Sequence, residues 1–184
     1  MRSDEELMLS YVQGDQGAFR ELFLRYAPVL LRLLTRNVGR PADAQDLTQQ
    51  TFLQLHRARH DFRRDMRLRP WVMTIALNLA RDLLRRRGRR PETDIDAEVI
   101  AAPATVPAAA SDERDRVRRA LEELPREQRE VIELHWFEEL PFNDIAAMLG
   151  CSAGAVRVRA HRGYVNMRKS LGIAVADEPA AGEG

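Results

Sequence analysis

Apolar residues in this chain recur at intervals of three and four, and no stretch alternates with period two. That regularity selects packed helices over any sheet. Ser3 followed by Glu6 has the form of a capping box, so a first helix opens there and runs to about Gln13, where Gly14-Asp15 breaks it. A second helix carries Phe19, Leu22, Phe23 and Tyr26 on one face, bends at Pro28 and continues to about Val38. Gly39-Arg40-Pro41 is a turn, and Asp43 stands where the next helix needs a cap or an N-terminal anion. Leu47, Thr51, Phe52 and Leu55 form the buried side of that third helix. A charged loop, His60 to Arg67, leads into RPWVMTIALNLARDLLRRR, a fourth helix with Pro70 near its first turn.

The chain then changes character. GRRPETDIDAEVIAAPATVPAAAS holds three prolines, many alanines and no large aromatic residue, which is the composition of a linker. The expected organisation is all-α: a helical domain over residues 1–90, a flexible linker over 91–111, a second helical domain over 112–173, and a disordered tail over 174–184. In the second domain Val117, Ala120, Leu121 and Leu124 face inward on one helix, Pro125 opens another from Arg126 to Phe137, and two more follow.

Charge is balanced overall, 29 basic against 28 acidic residues, but it is unevenly spread. Arg57 to Arg90 holds 12 arginines and three acids (Asp61, Asp65, Asp82), a net of +9; Ser152 to Gly172 holds five basic residues and no acid. Two separated basic blocks point to two contacts with a polyanion, either nucleic acid or an anionic membrane surface. The single cysteine, Cys151, excludes an internal disulfide, and four scattered histidines lack metal-ligand spacing. No nucleophile, metal cluster or phosphate-binding loop is visible, so neither an enzyme nor a cofactor is expected. No apolar run reaches the roughly 18 residues of a membrane span, and MRSDEEL is not a signal peptide, so a cytoplasmic protein without stable membrane insertion is expected.

The sharpest local signal is PFNDIAAMLGCSAGAVRVRAHRGYVNMR. Ala146 is small where two helices cross, Gly150 supplies the turn, Ser152 can cap the next helix, and Val156 is apolar where that helix packs back. This is the spacing of a helix-turn-helix. Its second helix projects Arg157, Arg159, His161 and Arg162, and arginines pair with guanine edges or with phosphates. The alternative is a plain helix pair with a solvated basic face.

DAQDLTQQTFLQLHRA resembles the second conserved region of bacterial sigma factors, and FRRDMRLRPWVMTIALNLARDLLRRR resembles the segment that follows it. REVIELHWFEELPFNDIAAMLGCSAGAVRVRAHR resembles the fourth sigma region. The matches span about Glu5 to Arg168 in the right order, and the two-domain form resembles the extracytoplasmic-function group. The resemblance implies a protein that binds core RNA polymerase and directs promoter recognition, DNA melting and transcription initiation. The helix with Asp46, Gln49, Gln50, Phe52 and Leu53 would dock on the clamp helices of the beta-prime subunit, with an exposed Phe52 beside the acid and the amides; the alternative for Phe52 and Leu53 is ordinary core, and at least one of the two is expected there. The beta flap and an anti-sigma factor are further implied partners.

On the fourth helix, Trp71, Ile75 and Leu79, with Val72, Ala76 and Leu83 beside them, form the expected buried stripe. Thr74, Asn78, Arg81, Asp82 and Arg85 form one continuous polar stripe. By the resemblance, that stripe meets the minus-ten element and holds it melted. Melting needs hydrogen-bond partners for an unstacked base and cations for displaced phosphates; Asn78 and Asp82 offer the first, Arg81, Arg85, Arg86 and Arg87 the second, and the loop Asp61 to Arg69 would form part of the base pocket. Taken by itself, such a stripe also suits solvent or a membrane. Ser152, Ala155, Arg157, Val158, Arg159, His161 and Arg162 would meet the minus-thirty-five element.

The chain departs from the usual family pattern at several points. Gln45 and Gln50 replace glutamates, His56 a tryptophan, and Ala155, Val158 and Ala160 more frequent residues of the recognition helix. Gly163 falls inside a helix, where an exposed glycine costs about 1 kcal/mol relative to alanine.

Overall fold

A computed structural model of the protein describes residues 2–89 and 108–173, and every regular element among them is helical. The chain divides into two units, Met1–Ala102 and Pro103–Gly184. Most of the expected linker, residues 90–107, and the expected tail, 174–184, lie outside the described residues. Residues 108–111, counted above with the linker, are already helical.

In the first unit, α1 (Asp4–Val12) opens on the capping box: the Glu6 N–H donates to Ser3 Oγ at 3.1 Å and the Ser3 N–H to Glu6 Oε2 at 2.7 Å. α2 (Gln16–Val38) runs through Pro28 as one helix, capped at its start by Asp15 and ended by Gly39 in the left-handed region at φ 75°. Its buried residues Ala18, Leu22, Tyr26, Leu30, Leu34 and Val38 fall every fourth position, so the contact line winds about 40° per step around the helix. α3 (Pro41–Arg57) starts on a proline without a side-chain cap. Of the two roles expected of Asp43, it takes that of the N-terminal anion: it sits in the first turn and does not cap. A short 3-10 turn (Arg59–Asp61) precedes α4 (Leu68–Arg89).

The buried line of α4 differs from the expected one. Leu68, Val72, Met73, Ala76, Leu77 and Ala80 are the fully buried residues, while Trp71, Ile75, Leu79 and Leu83 pack half-buried at the rim. α4 meets α1, α2 and α3 together, with the large Leu68, Met73 and Leu77 as well as the small Ala76 and Ala80 on its inner side. The bulky Trp71 then packs against Phe62, ring centroids 5.4 Å apart, at the edge of the core.

In the second unit, α5 (Ala108–Glu122) contributes Ala120 and Leu121 to the core, and Leu124 follows in the turn. α6 (Arg126–Ile132) passes without a break into a π-helical stretch, Glu133–Phe137, where one uniform helix was expected. The wider turn brings Trp136 and Phe137 to the surface side by side, 64% and 49% exposed. α7 (Phe142–Leu149) and α8 (Ala153–Ser170) complete the unit.

Gly163 of α8 is buried, not exposed. A Cβ at that position would stand 2.5 Å from Ile132 Cδ1 and 3.4 Å from Gln128 Cβ, so the glycine is what lets α8 lie against α6.

Candidate nucleic-acid and polymerase interfaces

α7, Gly150 and α8 build a helix-turn-helix. Gly150 ends α7 in the left-handed region at φ 64°, and its N–H donates to the Ala146 carbonyl. The Cys151 N–H reaches the same carbonyl at 3.0 Å. Ser152 Oγ then accepts from the Ala155 N–H at 3.1 Å and starts α8. Ala146 and Val156 are buried where the two helices cross. Each of the four positions singled out in the sequence does the structural task assigned to it.

Outside this crossing, α8 presents Ser152, Arg157, Val158, His161 and Arg162 to solvent, with Ala155 and Arg159 half-buried. At about 100° per residue, Arg157 and Arg162 stand some 140° apart around the helix, so they flank the exposed face from opposite sides. Arg159 is already engaged: its guanidinium meets Glu127 Oε2 at 3.1 Å and donates to Cys151 Sγ at 3.8 Å.

On α3, Asp46, Gln49, Gln50 and Leu53 are all exposed and share one face. Phe52 is not part of it. At 5% exposure it belongs to the core, edge-on to Phe19 at 6.2 Å and against Phe23 at 4.6 Å between ring centroids. The exposed apolar group on that face is Leu53, 48% exposed. Phe23, expected inside, is itself partly exposed beside it in the same aromatic cluster. His56, which replaces a tryptophan, hydrogen-bonds through Nδ1 to the Tyr11 hydroxyl of α1.

The polar stripe of α4 is present, with its members paired along the helix. Arg81 donates to Asn78 Oδ1 at 3.0 Å and Arg85 to Asp82 Oδ1 at 2.9 Å, while the Thr74 hydroxyl is spent on the Pro70 carbonyl at 2.8 Å. Such i,i+3 pairs are worth only about 0.2–0.5 kcal/mol each, so an incoming base or phosphate can displace them at small cost. Arg87 is different. It pairs with Asp43 at 2.6 Å, both groups about three-quarters shielded from solvent, and ties the end of α4 to the start of α3. One of the three consecutive arginines therefore serves the fold, which corrects its expected role toward phosphates.

The loop before α4 is anchored at both ends. Phe62 is buried, and the N–H of buried Leu68 donates to Glu5 Oε1 at 3.0 Å. Between these anchors Arg63, Arg64, Asp65 and Arg67 are exposed, beside the first turn of α4.

Residues 22–90, holding α3, α4 and most of α2, match the Sigma-70 region 2 family, and residues 114–167, holding the helix-turn-helix, match Sigma-70, region 4. The chain is 41% identical over 169 residues to the RNA polymerase sigma factor CarQ of Myxococcus xanthus, covering 90% of this chain and 95% of that one. The chain belongs to the sigma-70 family. It is also 32% identical to the ECF RNA polymerase sigma-E factor of Escherichia coli over 87% of this chain and 90% of that one, which places it in the extracytoplasmic-function group. Among solved structures, it is similar to the sigma factor RpoE of Bartonella quintana, solved in complex with the anti-sigma factor NepR. That likeness has a TM-score of 0.68 and 28% identity, covering 85% of this chain and 98% of that one.

This sigma factor thus acts in promoter recognition and transcription initiation with RNA polymerase and is not itself an enzyme. No helix among its described residues is long and apolar enough to cross a membrane. Several groups on its candidate faces had no signature in the sequence. Glu127, Arg126 and the exposed Trp136 lie far along the chain from the residues they approach, and only the packing of α6 on α8 brings them there.

Proposed function

We propose that the three exposed helix faces divide the work of initiation. The α3 face, Asp46, Gln49, Gln50 and Leu53, docks on the clamp helices of the beta-prime subunit, with Phe52 supporting it from the core. On α4, Thr74, Asn78, Arg81, Asp82 and Arg85, with the cationic loop beside them, take the melted minus-ten strand. α8 enters the major groove of the minus-thirty-five element with Ser152, Ala155, Arg157, Val158, Arg159, His161 and Arg162. The observation that carries this reading is the pairing along α4: Asn78 and Asp82 lie at the surface in weak local contacts with Arg81 and Arg85, suited to exchange.

An apolar groove of about 750 Å³ in the second unit, lined by Leu121, Ile132, Trp136, Tyr164 and Met167 among others, suits the beta flap. An anti-sigma factor, as bound by the related RpoE, would compete for surfaces of this kind. The site of action is the cytoplasm, with the polymerase.

Run-off transcription tests the reading. Adding the protein to core polymerase should activate a subset of promoters from the source genome, with starts mapping a fixed distance downstream of two conserved elements. Silence at every promoter refutes it.

A further inference from the structure

Val156, Ala160 and Gly163 form the buried line of α8. Val158 stands two residues from Val156 and two from Ala160, and a step of two is about 200° of turn. Its side chain therefore leaves the helix on the side opposite the buried line. It is 48% exposed, a large apolar group at the crest of a face that Arg157 and Arg162 flank. One turn toward the N-terminus its neighbours are Gly154 and Ala155, and one turn onward they are His161 and Arg162. Helical side chains lean toward the N-terminus, so Val158 leans over a glycine and an alanine, with no long polar side chain to cover it from there. The Ser152 hydroxyl at the cap is occupied by the Ala155 N–H.

A single exposed valine is ordinary on a protein surface, and one valine among small and cationic neighbours is too little for a protein-docking patch. In a major groove, however, it has one apolar counterpart. Guanine, adenine and cytosine present only hydrogen-bonding groups at that edge, whereas thymine adds its C5 methyl group. A valine set against a polar edge strips water from it and returns no hydrogen bond. Set against the methyl, two apolar groups leave water together. The branched side chain is stiff at χ1, so it keeps its place on the crest at little entropic cost.

We propose that Val158 is a specificity-determining residue that reads the C5 methyl group of one thymine in the minus-thirty-five element. The inference rests on α8 being the groove-entering helix and adds the chemical identity of one base. Val158 is among the positions at which the chain departs from the usual family pattern, so the preference belongs to this chain and is not carried over from relatives. Burial of one methyl group contributes about fourfold in affinity.

The test uses holoenzyme assembled from core polymerase and the full chain, on a promoter that it activates, with affinity read by competition in a gel-shift assay. Each thymine of the minus-thirty-five element, on either strand, is replaced singly by deoxyuridine, which removes the methyl group and leaves the pairing edge intact. At one position the affinity should fall about fourfold. Val158→Ser should bind thymine and deoxyuridine equally there, and its outward position leaves the packing of α8 untouched. With a cytosine at that position, 5-methylcytosine should recover about fourfold for the unaltered chain and nothing for Val158→Ser. An element without thymine on either strand, a scan without a methyl-dependent position, or a methyl effect that persists in Val158→Ser overturns the proposal. In each of those cases a loss of promoter affinity in Arg157→Ala keeps α8 in the groove. If Arg157→Ala is also without effect, it is the assignment of α8 to the groove that has failed.

Discussion

Gly163 offers the sharpest single test of the structure, because two readings of it differ in sign. An exposed glycine in a helix gives back about 1 kcal/mol when replaced by alanine. Here the new methyl would stand 2.5 Å from Ile132 Cδ1 and 3.4 Å from both Ile132 Cγ1 and Gln128 Cβ, against an optimum of about 3.5–4.0 Å between carbons. Ile132 is almost fully buried, so its side chain has little room to turn aside. Overpacking of this kind costs about 1–3 kcal/mol. Set against the gain in helix propensity, Gly163→Ala should destabilise the second unit by up to about 2 kcal/mol. Ile132→Val removes the clashing Cδ1 at a cost of about 0.5–1.5 kcal/mol by itself. The double variant should therefore be more stable than the two single losses added together, with a coupling of about 1 kcal/mol or more. Urea unfolding of the full chain in a Trp71→Phe background, followed by Trp136 fluorescence, isolates the second unit. A gain of about 1 kcal/mol for Gly163→Ala, or strict additivity in the cycle, would refute the close packing of α8 on α6.

Other predictions follow from the candidate faces. Asn78→Ala should impair open-complex formation, read by permanganate footprinting, while leaving core-polymerase binding intact; loss of core binding instead would make Asn78 a residue of the fold. Leu53→Ala should weaken core binding without moving the melting temperature, whereas Phe52→Ala should destabilise the first unit by about 3–5 kcal/mol, and the reverse pattern would mean the two are misassigned. Arg157→Ala should lower minus-thirty-five binding in a salt titration. A slope smaller by about one identifies a phosphate contact, and an unchanged slope with relaxed sequence preference identifies a base contact. Arg87→Ala should lower the melting temperature of the first unit, and a charge-swapped Asp43→Arg/Arg87→Asp pair should restore part of it; equal losses in the single and double variants would show that the pair does not tie α3 to α4.

The helices, their approximate ends and the helix-turn-helix were legible because they depend on neighbours three and four residues apart. Ser3 with Glu6, Gly39, Gly150 and Ser152 are local devices, and each acts in the structure as its spacing implies. Rotation about a helix axis is harder to read. One residue is about 100° of turn, so an apolar stripe locates a buried line only to within a neighbour. The periodicity placed Phe52 on the buried side of α3 correctly, but on α4 it pointed to Ile75 and Leu79, one position away from the inner line that Ala76 and Ala80 mark.

Long-range partners were not legible at all. Asp43 with Arg87, Glu127 with Arg159, and Gly163 against Ile132 are pairs separated by some thirty to forty-five positions. Nothing in the local spacing of either member names the other. The sequence by itself determined that this is a helical sigma-70-family chain, because periodicity, turn chemistry and motif order are local properties. Only the tertiary structure decided which arginines belong to the fold and which face the solvent, because that depends on which carboxylate the packing brings within reach of each guanidinium.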